Sequence, residues 1–147
     1  MKKEKVLLEL IYLPVENRQN IMSPIQIMKS MFLLKQELNL LEFYEFQPYL
    51  YGPCSFEIYS DLLDLKNKGL VDTISTLRDW EYYRITKNGK VTAEKVKQDI
   101  DRNLIDKIID IKESVLSKSF LKLLEHVYEK YPEYARNSII NLKGFKK

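Results

Sequence analysis

Gly69-Leu70-Val71-Asp72, then Tyr82-Tyr83-Arg84-Ile85-Thr86-Lys87-Asn88-Gly89-Lys90, are the two halves of the stretch whose reading decides the fold. Gly69 suits the end of a preceding helix. Leu70-Val71-Asp72 begins a strand, and Tyr82 to Thr86 alternates as a second strand bounded by Lys87-Asn88-Gly89-Lys90. Between them Thr73 to Glu81 is polar, with Trp80 near its far end. The two strands make a hairpin. The Thr86-x-x-Gly89 end is a tight turn that lets the second strand run straight into the next helix.

Upstream, Ser55 caps a helix running to about Lys68, and Ile58, Tyr59, Leu62, Leu63 and Leu65 make its expected buried face. Tyr51-Gly52-Pro53-Cys54 reads as a turn. Residues 42–51 read as extended, and Pro48 confines them to an edge or irregular strand. Ser23-Pro24 starts an earlier helix with Ile27, Met28, Met31, Phe32 and Leu34 on its apolar face, ending near Leu38. A first helix runs from Lys3 to Leu13 and stops at Pro14. Downstream, one long helix is expected from Val91 to about Val115, striped by Ile100, Leu104, Ile108, Ile111 and Val115. Another spans Ser117 to Glu129, before Pro132.

Helix, helix, strand, helix, hairpin, helices is the order of a winged helix. The expectation is a mainly α fold with a small β hairpin: a winged helix-turn-helix over residues 1–95, and a C-terminal helical extension over 96–147 packed on it.

Composition narrows the function classes. A chain of 147 residues is long enough to bury a core. The lone cysteine, Cys54, excludes an internal disulfide and points to a reducing compartment, so a cytoplasmic location is expected. No stretch approaches the roughly 20 apolar residues of a membrane span. The net charge is +3, and all of it falls in residues 96–147, where 11 Lys and Arg face 8 Asp and Glu. Residues 1–95 balance at 13 of each, so any nucleic-acid contact must come from local patches.

The hairpin supplies one such patch. Arg78 near its tip, with Arg84, Lys87 and Lys90 along its edge, are the expected phosphate contacts of a DNA-binding transcriptional regulator. The third helix reads differently. Glu57, Asp61 and Asp64 stand at i, i+4 and i+7, sharing one side of the helix, and would be repelled by phosphate. That acidic face, together with the aromatic residues clustered at 44–59, suits a protein partner with a basic surface, in a module of antitoxin or adaptor type. The stripe of the 91–115 helix either forms a homodimer interface or packs on the helix that follows, and the two are compatible.

Nothing points to an enzyme. One histidine, His126, and one cysteine cannot make a structural zinc site, and Gly52, Gly69, Gly89 and Gly144 are too far apart for a phosphate-binding loop. No cofactor is expected.

The segments also carry a family resemblance. Tyr49-Leu50-Tyr51-Gly52-Pro53-Cys54-Ser55, followed by Leu62-x-x-Leu65-x-x-x-Gly69-Leu70-Val71, resembles the YwgA-like family of bacterial and archaeal proteins and, more distantly, the Panacea (SocA-like) antitoxin domain. Lys29-Ser30-Met31-Phe32-Leu33-Leu34 is similar to their second-helix pattern, and Leu124 to Ser138 to their C-terminal Tyr-Pro segment. Cys54 departs from the aromatic or small residue more usual there. The first resemblance implies a winged helix with a DNA-binding role inferred from fold. The second implies toxin neutralisation by protein contact. Neither supplies a catalytic residue.

Overall fold

The computed structural model describes residues 3–75, 81–136 and 138. Its elements run α1 (Lys3–Tyr12), α2 (Pro24–Leu38), β1 (Gln47–Tyr49), β2 (Gly52–Cys54), α3 (Phe56–Asn67), β3 (Val71–Ser75), β4 (Glu81–Ile85), α4 (Lys87–Lys97), α5 (Arg102–Leu116) and α6 (Phe120–Lys130), then a 3-10 turn, Pro132–Tyr134. The fold is mainly helical with small antiparallel hairpins, and β3–β4 follows α3 as expected.

α2 begins where its capping chemistry dictates. The Ser23 side chain accepts from the Gln26 amide (3.2 Å), and the Gln26 side chain accepts from the Ser23 amide (2.8 Å). Pro24 fills the first turn. Every residue from Ile27 to Leu34 is buried. Around this helix lie α5, α1, β2 and β4. Residues beyond 96 share the same core: Ile105, Ile108, Ile111, Val115, Leu124 and Val127 join Val6, Leu10, Met31 and Leu34. The stripe expected to form a homodimer interface, to pack on the following helix, or both, is turned onto α2 and α1.

Three local readings change. The expected 91–115 helix is two helices, α4 and α5, separated at Gln98 to Asp101, where the Asp101 side chain accepts from the Asn103 amide (3.3 Å) and restarts the helix. Of the Tyr51–Cys54 turn all but Tyr51 is strand: β2 pairs with β1, Gln47 opposite Cys54 and Tyr49 opposite Gly52. Tyr59 and Leu63, expected in the core, are exposed.

β3 and β4 pair from Val71–Ile85 to Ser75–Glu81, and Met22 adds two backbone hydrogen bonds to Tyr83 (3.0 and 2.8 Å). The junction into α4 is tightly knotted. Thr86 Oγ1 shares its one hydrogen between the Gly69 and Leu70 carbonyl oxygens (2.6 and 3.0 Å) and accepts from the Gly89 amide (2.9 Å). A Cβ on Gly89 would lie 1.9 Å from the Leu70 oxygen, so only glycine lets α4 begin against the strand. No helix among the described residues is long and apolar enough to cross a membrane.

Two charged groups are fully buried under α1. Lys112 Nζ donates to the carbonyl oxygens of Ile11 (3.2 Å) and Leu13 (2.6 Å) and to Asn20 Oδ1 (2.6 Å), closing the C-terminal end of α1. Burial draws its pKa down to about 7, while three acceptors match the three donors of an ammonium. Glu9 is buried, and neither carboxylate oxygen has a hydrogen-bond partner among the described residues. Desolvation raises its pKa from 4.5 to about 7, opposed by nearby Lys97 and helped by Glu94.

Two stability outcomes follow from this packing. Between pH 4.5 and about 7 the folded chain holds a proton on Glu9 that the unfolded chain has released, so stability falls as pH rises across that window. Glu9→Gln should match the parent near pH 4.5 and exceed it by about 2 kcal/mol at pH 8 in urea titrations. Gly89→Ala, a change that ordinarily favours a helix by about 1 kcal/mol, should instead destabilise by about 2–3 kcal/mol in the same assay, because the new methyl overlaps backbone.

Candidate functional site

Of the residues expected to contact DNA, Arg84 is on β4, and Lys87 and Lys90 begin α4. Arg78 lies outside the described residues. Arg84 is held across the hairpin by Asp72, through Nε (2.8 Å) and Nη2 (3.4 Å), so its planar fork is already filled by a carboxylate. Lys87 and Lys90 are exposed, but they stand on the first turn of α4 rather than along the hairpin edge.

The acidic face of α3 is also rearranged. Glu57 is exposed and pairs with Lys3 (2.5 Å), and Asp64 is exposed. Asp61 turns inward. It stands three residues after Ile58 and four before Leu65, on the buried stripe, and accepts from the Tyr44 hydroxyl at 2.5 Å. The three carboxylates therefore share no open face, and no group of three or more His, Cys, Asp or Glu among the described residues could hold a metal ion.

α3 presents an apolar stripe outward instead. Phe56 is 52 % exposed, Tyr59 43 % and Leu63 57 %, at i, i+3 and i+7. The tip of β1–β2 continues the stripe with Tyr49, Leu50 and Tyr51, all exposed. The Tyr49 and Phe56 rings meet edge to face at 5.3 Å, and Tyr51 meets Phe120 of α6 at 5.8 Å. Large apolar side chains contiguous on a surface mark an interaction site more often than scattered ones do.

Between α2 and this patch is a cavity of about 250 Å³, lined by Ile25, Met28 and Lys29 of α2, by the β1–β2 hairpin, and by Phe56 and Tyr59 of the patch itself. Lys29 is 2 % exposed, and its Nζ donates to the Pro53 carbonyl oxygen (3.2 Å). Burial lowers its pKa to about 8, with the Cys54 thiol pulling the other way; burial pushes that thiol up. Gly52 makes the close approach possible. It has φ +95, and a Cβ there would lie 3.4 Å from Lys29 Nζ and 3.0 Å from Tyr128 Cε1.

Sequence reasoning placed the aromatic cluster but missed Lys29. Its signal is a lysine inside Ile27-Met28-Lys29-Ser30-Met31-Phe32, a run with no solvent-facing phase. His126, the lone histidine, is half-buried on α6, and burial lowers its pKa.

No family model matches the chain, and no curated protein matches it.

Gly52→Ala tests the tie between hairpin and α2. Forcing a Cβ into a positive-φ position against Tyr128 should cost about 1–2 kcal/mol in thermal or urea unfolding.

Proposed function

We propose that the chain is a protein-binding module, docking a partner on the surface made by α3 and the tip of β1–β2. The observation that supports this is the outward stripe Phe56, Tyr59 and Leu63, on the helix that a winged helix would use to read DNA. Burying what these half-exposed side chains still show releases about 1 kcal/mol each, so Tyr49, Leu50 and Tyr51 must join them to offset the cost of association. Phosphate would find little there. From Gln36 to Leu65 the sequence holds no Lys or Arg, while Glu57 and Asp64 are exposed on α3 beside the stripe and Glu42 and Glu45 are exposed ahead of β1. The partner that fits is a segment with two or three apolar anchors flanked by Lys or Arg. This is the antitoxin or adaptor class, and the resemblance to the Panacea domain points the same way. The single, buried Cys54 suits a cytoplasmic setting.

A DNA-binding regulator of winged-helix type is the second reading. It is favoured by Lys87 and Lys90, exposed on the first turn of α4 and outside every ion pair found among the described residues, where backbone amides and lysines together could meet a phosphate.

The two separate in one pair of experiments. A photo-crosslinker at Leu63, used in the native cell, should capture a protein whose contact segment is apolar and basic. Leu63→Asp should abolish capture without lowering the melting temperature. Random duplex DNA should give no mobility shift at low salt. A shift that Lys87→Glu with Lys90→Glu removes, and that Leu63→Asp leaves intact, would overturn the protein-binding reading in favour of the second.

A further inference from the structure

We propose that the cavity between α2, β1–β2 and α3 is a binding site for a small aromatic carboxylic acid, its carboxylate paired with Lys29 and its ring set among Ile25, Met28, Tyr49, Phe56 and Tyr59. The volume, about 250 Å³, admits a single substituted ring, since a cavity of roughly 150 Å³ already holds benzene. The walls are apolar and aromatic, with few polar groups, which is the build of a small-ligand site.

The polar group at the floor is unusual. Lys29 and Lys112 are both buried lysines, yet they are satisfied differently. Lys112 has three oxygen acceptors, one for each N–H. Lys29 has one among the described residues, the Pro53 carbonyl. An ammonium has three donors, so two are left for something that enters the cavity. No Asp or Glu lines the space, so the protein supplies no counter-charge there; the titratable side chains that do line it are Tyr49, Tyr51, Tyr59 and Cys54. A buried cation without a counter-ion is costly, and a ligand carboxylate relieves that cost where a neutral ring does not. The carboxylate thereby gives the site selectivity and the ring gives it contact area.

This site shares Tyr49, Phe56 and Tyr59 with the docking patch, but it rests on Lys29 and not on the protein-binding reading. The test is titration calorimetry with benzoate and with its neutral isostere benzamide at pH 7, repeated for benzoate at pH 8 in two buffers of different ionisation enthalpy. Benzoate is expected to bind at least tenfold more tightly than benzamide. At pH 8 its binding should take up a substantial fraction of a proton, because pairing raises the lysine, which is partly neutral in the free protein. Lys29→Met should erase the preference for benzoate, and Leu63→Asp should leave it unchanged. Equal affinity for the two compounds, benzoate binding without proton uptake, or no binding of either at millimolar concentration would overturn the proposal. Should Lys29→Met fail to fold, the two wild-type measurements decide alone.

Discussion

Eight consecutive residues of α2, Ile27 to Leu34, are buried, so over two turns the helix has no face toward water. A helix in that position must be covered from all directions, and the rest of the chain is arranged to do it. α5 covers one side, α1 and β4 others, and β2 crosses near Met28 and Lys29. The remaining side is closed by aromatic rings. Phe32 meets Phe46 at 5.4 Å, Tyr131 at 5.1 Å and Tyr134 at 4.7 Å, all near edge to face. The Tyr131-Pro132 segment is thus core chemistry rather than a tail. Glu37 at the end of α2 adds ion pairs to Lys107 of α5 (2.8 Å) and Lys130 of α6 (3.9 Å). These are exposed enough to orient helices more than to stabilise them.

Central burial also explains where polar groups are tolerated. A lysine inside such a core needs acceptors, and backbone at the ends of elements provides them. Lys112 finds the open carbonyls after α1, and Lys35 finds the Tyr44 carbonyl (2.7 Å). Both are latches between a helix and an otherwise irregular segment. Lys29 does the same for Pro53 with a single bond. Glu9 has no such latch among the described residues, which is why burial moves its titration toward neutrality.

Much of the fold was legible from local chemistry. Ser23-Pro24 and Gly69 each mark an element boundary that stands where those residues put it, while Thr86-x-x-Gly89, read as a turn before a helix at Val91, is the cap and first turn of α4, which begins at Lys87. Misreadings arose where periodicity had two solutions. The 91–115 stripe keeps its helical phase across Gln98 to Asp101, so apolar spacing alone could not reveal the break; the Asp101 cap could have. On α3 the pattern Ile58, Tyr59, Leu62, Leu63, Leu65 spans more than one face. Only tertiary packing decides that Ile58, Leu62 and Leu65 go inward with Asp61, while Tyr59 and Leu63 stay out. The site was legible in part for the same reason. Aromatic enrichment at 44–59 announced a surface or a core, and the structure divides it: Tyr44 inside, Tyr49, Tyr51, Phe56 and Tyr59 outside.

The inward turn of Asp61 links the architecture to the functional reading. Its bond with the Tyr44 hydroxyl fixes the rotation of α3 about its own axis, because a buried tyrosine and a buried carboxylate satisfy one another only in that phase. With Asp61 inward, Phe56, Tyr59 and Leu63 must point outward, and Tyr49 can reach Phe56. Rotating the helix to present Asp61 as well would orphan the Tyr44 hydroxyl and draw Ile58 and Leu62 from the core. One hydrogen bond in the interior thereby joins the apolar stripe in setting which side of the third helix turns outward, and it leaves Phe56, Tyr59 and Leu63 there beside Glu57 and Asp64.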